Sequence, residues 1–141
     1  MFQVEYIDGA EIALDGTLLV PFVKLSLQRI DGRPHDKKVM KTDPARRQTA
    51  EKSWRNLNWT FQPIADPDGC VVKIVVKGHN RQGPHAFMGE SELYLSSLPK
   101  GQSVTREVYL EDPNSLAHGQ VSGRLKLRCA LSEQAAKPAW R

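Results

Sequence analysis

Period-two alternation of apolar residues is the feature that most constrains the fold. In "VPFVKLSLQ" Val23, Leu25 and Leu27 share one face, while Phe22, Lys24 and Ser26 share the other. The same parity recurs in "LNWTF", with Leu57, Trp59 and Phe61 together, and in "VVKIVV", with Val72, Ile74 and Val76 together. Near the C-terminus Leu125, Leu127 and Cys129 alternate with Arg124, Lys126 and Arg128. Alternation of this kind belongs to strands with one buried face. It predicts strands over 2–7, 21–28, 37–42, 57–63, 71–77, 88–95, 104–110 and 123–131, each bounded by Gly, Pro, Asp or Asn. Only "ARRQTAEKSWRN" could hold a helical turn. An all-β chain of eight short strands implies an antiparallel sandwich or barrel.

At 141 residues the chain has the length of one domain with a full core. No apolar run approaches eighteen residues, so a membrane-spanning helix is not expected. The start "MFQVEYIDGAEIAL" has neither a basic leader nor an apolar segment, unlike a secretory signal. Two cysteines, Cys70 and Cys129, do not make a disulfide framework, and Cys129 has core parity. These features point to a reducing, cytoplasmic setting. The tail from residue 132 to 141 reads as a loose end or the start of a linker, as in one domain of a larger protein.

The net charge is +4, and the excess is local: residues 29–55 hold nine Lys or Arg against four acids. Such a patch suits lipid head groups, nucleic acid or an acidic protein surface, or it is simply a solvated face. No G-x-S-x-G, G-x-x-x-x-G-K or H-E-x-x-H is present, no triad is apparent, and "GHNRQG" lacks a following helix. The residues therefore argue against an enzyme and imply no cofactor. His79 and His85 lack the further ligands zinc needs, and they read as exposed loop histidines. Trp54 and Trp59 lie near basic residues, but Trp59 has core parity and no aromatic platform forms, which disfavours nucleic acid.

Six segments, in order, resemble the C2 domain family: "FQVEYIDGAEI", "VPFVKLSL", "KKVMKT" with Trp54 and "NWTFQ", "VVKIVVKGHNRQGPHAFMGESELYLSSL", "LPKGQSVTREVYL" and "GRLKLRCAL". "VPFVKL" is similar to that family's D-P-Y-V-K-L strand with valine replacing the aspartate. An immunoglobulin-like sandwich is the alternative, but its Cys…Trp…Cys pattern is missing. The resemblance implies an eight-stranded antiparallel β-sandwich of C2 type over 1–131.

The resemblance also implies a place for calcium, with two aspartates in a first top loop and three in a third. Those positions fall on Asp15, Val20, Gly78, Asn80 and Ala86. Four of the five carboxylates are absent, and calcium needs six to eight oxygens. The expectation is a calcium-independent module without a metal. Some members of the family bind anionic phospholipid through a basic concave face. Here that face would comprise Phe22, Lys24, Lys37, Lys38 and Lys41, with Val39 among them and Leu18 and Leu19 at a membrane-facing tip. Such a protein would be cytoplasmic and peripheral at the membrane. The alternative is a protein-interaction or scaffolding domain, in which Arg124, Lys126 and Arg128 form a solvated stripe or a face for an acidic partner.

Overall fold

Strand β1 runs from Phe2 to Leu14, well past the turn that "DG" suggests at Asp8–Gly9. The glycine is there for contact: a Cβ on Gly9 would lie 2.5 Å from Ile12 Cδ1 and 3.2 Å from Leu125 Cδ2. Gly9 thus marks close packing against the side-chain ends of Ile12 and Leu125, not a reversal. In the computed structural model residues 2–14, 20–31, 34–44, 51–55, 57–61, 67–79, 84–117 and 120–132 are described, without the side chains of 13–14, 34–38 and 51–52.

Eight further strands follow: β2 (Val20–Arg29), β3 (Pro34–Lys41), β4 (Glu51–Trp54), β5 (Trp59–Phe61), β6 (Cys70–His79), β7 (Ala86–Tyr94), β8 (Ser103–Tyr109) and β9 (Val121–Leu131). They form two sheets, β4-β1-β9-β8 with β5 also on β1, and β3-β2-β6-β7. Every strand pairing is antiparallel. The all-β sandwich is thus as expected.

The extra strand is β4, where a helical turn was the alternative. Glu51–Trp54 pairs with residues 7–10 of β1, burying Trp54 while Ser53 and Arg55 face water. Trp54 Nε1 donates to the Asp43 carbonyl at 2.8 Å. β5 pairs lower on the same edge, opposite residues 2–4. The two pieces share one edge position, broken where Asn58 takes φ 49° and Leu57 N–H donates to the Glu5 carbonyl. Residues 45–50 and 56 of the possible helical turn and residues 62–63 of the expected 57–63 strand lie outside the described residues.

The core lies between the sheets and matches the parity argument. Val23, Leu25 and Leu27 on β2 and Val72, Ile74 and Val76 on β6 meet Phe2, Val4, Ile7, Leu125, Leu127 and Cys129 from the other sheet. Burial of each large aliphatic is worth roughly 1.5–3 kcal/mol, so these faces fix the register. With one face committed inward, Phe22, Lys24, Lys73 and Lys77 are held outward. Burial pushes the Cys129 thiol up to about 11, so it stays a neutral, inert core group.

Candidate anion-binding site

The outer face of the β3-β2-β6-β7 sheet carries the site. Register does the assembling: Lys24 on β2 stands directly opposite Lys41 on β3, and Phe22 directly opposite Lys77 on β6. Like charges placed opposite each other across a ladder destabilise a sheet. Lys24, Lys41 and Lys77 nevertheless line one cleft of about 380 Å³, within the range of roughly 300–1,000 Å³ usual for small-molecule sites. Among the described residues none of these three lysines makes an ion pair. Asp43 is the one acid on the cleft wall among the described residues.

The cleft floor is aromatic. Phe22 has outward parity yet is only 6% exposed. His85 covers it edge-on at 5.0 Å between centroids, and His79 does so at 6.4 Å. The two imidazoles lie 5.0 Å apart, 30° from parallel. His79 is the last residue of β6, and His85 immediately precedes β7. His85 is the exposed loop histidine the sequence suggests, while His79 ends β6 half-buried, and both line the basic cleft.

The remaining wall is held by Thr42. Its backbone N–H donates to the Val23 carbonyl and its Oγ1 accepts from Val23 N–H, both at 2.9 Å. This clamp extends the β2–β3 pairing by one residue and fixes Lys41 across from Lys24. Thr42→Val keeps the shape but leaves the Val23 N–H buried and unpaired. An orphaned buried donor costs about 1–3 kcal/mol, so the melting temperature should fall by several degrees in a calorimetric scan.

Titration directions report the field in the cleft. Partial burial, with Lys77 and Lys41 adding to it, lowers the Lys24 ammonium below its ordinary value. His85 is lowered by desolvation first, then by His79, Lys77, Lys41 and Lys24. The cleft therefore disfavours further positive charge. Lys73, farther along β6, behaves differently. Burial lowers it, but the hydrogen bond and charge of Glu90, with Glu92 behind, outweigh burial and raise it.

On the other sheet Arg124, Lys126 and Arg128, with Arg55 beside them, are compensated, while Arg106 donates to the Ser97 carbonyl. Arg124 pairs with Glu11 at 2.9 Å and with Glu107 at 3.6 Å. Lys126 pairs with Glu107 at 4.0 Å and Arg128 with Glu5 at 3.8 Å. Arg55 bonds Asp8 at 2.7 Å and lies 4.0 Å over the Tyr6 ring. The stripe Arg124, Lys126 and Arg128 is a cross-strand ion-pair ladder, not a bare cationic face.

Of the residues expected on the basic face, Phe22, Lys24 and Lys41 come together. Phe22 serves as floor instead of projecting. Lys37 and Lys38 lie on β3, but their side chains are outside the description, and Leu18 and Leu19 lie outside the described residues altogether. Val39, opposite Ser26, is 48% exposed. Sequence reasoning missed Lys77, although the parity that sends Val72, Ile74 and Val76 inward sends Lys77 outward.

The sequence model of the C2 domain matches residues 2–110. The chain belongs to the C2 domain family. Among solved structures it is similar to the first, or A, C2 domain of plant Extended Synaptotagmin 1, at 19% identity and a TM-score of 0.74, over 92% of this chain and 91% of that one. It is also similar to human GIVD cytosolic phospholipase A2, solved with methyl gamma-linolenyl fluorophosphonate and terbium chloride, at 13% identity and a TM-score of 0.68. That match covers 95% of this chain but 17% of the phospholipase. The corresponding A domain of RIM from Drosophila matches at 19% identity and a TM-score of 0.52, over 68% of this chain and 86% of that one. At these identities the likeness shows the fold. No curated protein sequence matches.

In this C2 domain three of the five positions where the resemblance implies calcium ligands, Val20, Gly78 and Ala86, fall at the end of the sandwich beside the cleft. Gly78 pairs with both Pro21 and Ala86, and Val20 pairs with His79. Valine, glycine and alanine bring no side-chain oxygen. Asp15 and Asn80 lie outside the described residues. Among the described residues no three of His, Cys, Asp and Glu come close enough to hold a metal. No described helix is long and apolar enough to cross a membrane.

Proposed function

We propose that this domain docks onto anionic phospholipid surfaces without calcium, through the cleft formed by Lys24, Lys41 and Lys77. C2 domains are generally modules that bind lipid, calcium or protein. One observation carries the choice among these: Lys24, Lys41 and Lys77 line one cleft with no ion-pair partner among the described residues, while Arg55, Lys73, Arg124, Lys126 and Arg128 all have one, and Lys100 and Arg106, which have none there, lie outside that cleft. Like charges held together at a cost to the sheet mark a site shaped for an opposite charge. A basic group near an anionic surface contributes roughly 1 kcal/mol, so the three supply an affinity suited to reversible attachment.

Calcium independence rests on the donor set. A cage of hard oxygens cannot be built where Val20, Gly78 and Ala86 stand. Micromolar calcium should therefore leave the melting temperature and vesicle binding unchanged. A stabilisation of several degrees would sink that part of the reading.

Sedimentation with phosphatidylcholine vesicles, with and without phosphatidylserine, tests the function directly. Binding should require the anionic lipid and should weaken as salt screens the lysines. Equal binding to both vesicle types would remove the anionic lipid as the ligand, and binding to neither would remove the membrane reading and favour a protein-interaction role for the domain.

A further inference from the structure

The cleft holds a feature that lysines alone do not explain. Two imidazoles, His79 and His85, stand 5.0 Å apart on its wall and pack on Phe22. Among the described residues the charged groups facing them are Lys24 from β2, Lys41 from β3, Lys77 from β6 and Asp43 from the segment after β3. Three fixed cations against one carboxylate make a further proton in the cleft unwelcome. A doubly charged oxyanion in the same space offsets that excess and makes a proton welcome beside it.

We propose that the His79–His85 pair couples anion binding in this cleft to proton uptake, so that the domain holds an anionic surface more tightly as pH falls. The proposal rests on the membrane-docking reading above and adds its regulation.

The sign follows from linkage. His85 is held below its ordinary value in the free domain, by desolvation, then His79, then the three lysines. A bound dianion raises the imidazole pKa, since opposite charge favours the protonated form. Affinity gains as pH falls through the bound-state pKa, and the gain is complete below the free-state pKa. Each unit of that rise is worth about tenfold in affinity. An anionic leaflet adds to the effect by its own potential. At about −30 mV it concentrates protons roughly threefold at its surface, so the membrane itself helps charge the pair.

Phosphate monoesters lose charge over the same range, with a second pKa near 6, and would mask the protein's own protons. The probes are therefore inorganic sulfate, which stays doubly charged, and phosphatidylserine vesicles. Binding of each to the 141-residue chain is measured at about pH 7.5 and about pH 5.5, across the range where histidine titrates. Calorimetry in two buffers of different ionisation enthalpy counts the protons taken up with sulfate.

The expected result is roughly tenfold tighter binding at the lower pH for both probes, with uptake of up to about one proton per sulfate. In a His79→Gln/His85→Gln variant, shown by melting to be folded, the ratio of the two affinities should fall to about one. A pH ratio that survives in that variant overturns the inference and leaves membrane docking standing. Proton-coupled sulfate binding without vesicle binding at either pH overturns the lipid as the source of the anion and keeps the coupled site. Failure of both probes at both pH values overturns both.

Discussion

Changing Lys24, Lys41 and Lys77 together to glutamine should weaken binding to phosphatidylserine vesicles about a hundredfold. The estimate is additive: three basic groups at roughly 1 kcal/mol each, with about 1.4 kcal/mol per factor of ten. A matched control carries the argument. Arg124→Gln, Lys126→Gln and Arg128→Gln removes the same formal charge, but from residues already paired with Glu5, Glu11 and Glu107. That triple variant should stay within about threefold of the wild type, because exposed ion pairs contribute little either way. If the two triple variants lose the same affinity, the domain binds by net charge alone and the cleft has no special part. Folding is not the limit for the first variant. Removing like charges from facing positions such as Lys24 and Lys41 relieves repulsion in the sheet, so its melting temperature should hold or rise.

The contrast between those two triplets marks what the sequence could and could not tell. Parity sent Val23, Leu25 and Leu27 inward and Lys24 outward, and the structure agrees residue by residue. Parity is local, set by a backbone whose side chains alternate, so one strand read alone suffices. Whether a lysine is bare or paired depends on register between strands far apart in sequence. Lys126 meets Glu107 and Arg128 nears Glu5 through pairings of β9 with β8 and β1. Nothing local in "RLKLRCAL" distinguishes that stripe from the cleft lysines. His79 and His85 show the same limit, for they meet over Phe22 only because β6 and β7 pair antiparallel beside β2. The outward direction of Lys77 was legible from the alternation of "VVKIVVK", while its place beside Lys24 comes from the pairing of β2 with β6. β4 was not: a four-residue edge strand has too few alternations to outweigh a helical pattern, and its pairing with β1 decides the matter.

Gly123→Ala should be among the most damaging single substitutions in the domain, though it removes no contact. Gly123 sits in β9 at φ +114°, a conformation that side chains rarely adopt. It lies opposite a bulge in β1 where the register slips between Ala10 and Ala13 and where Glu11 takes φ 58°. A Cβ there would stand 2.6 Å from Ile12 Cα, 2.9 Å from the Glu11 carbonyl oxygen and 2.9 Å from Ile12 N. All three are backbone atoms, so no side chain can swing aside to make room. The Gly123 carbonyl also accepts the Leu110 N–H at 3.0 Å, which ties the strand from its other side. Backbone strain contributes about 1–3 kcal/mol, and forcing the bulge apart adds about as much again. The sum is a drop in melting temperature on the order of 10 °C. Gly101→Ala separates the two contributions. Gly101 also has positive φ, at +84°, but an added Cβ meets nothing within 4 Å. It should show the strain alone, a fall of only a few degrees in the same calorimetric scan. Equal losses at the two positions would mean that the β1–β9 bulge yields, and that backbone conformation rather than close approach fixes glycine at 123.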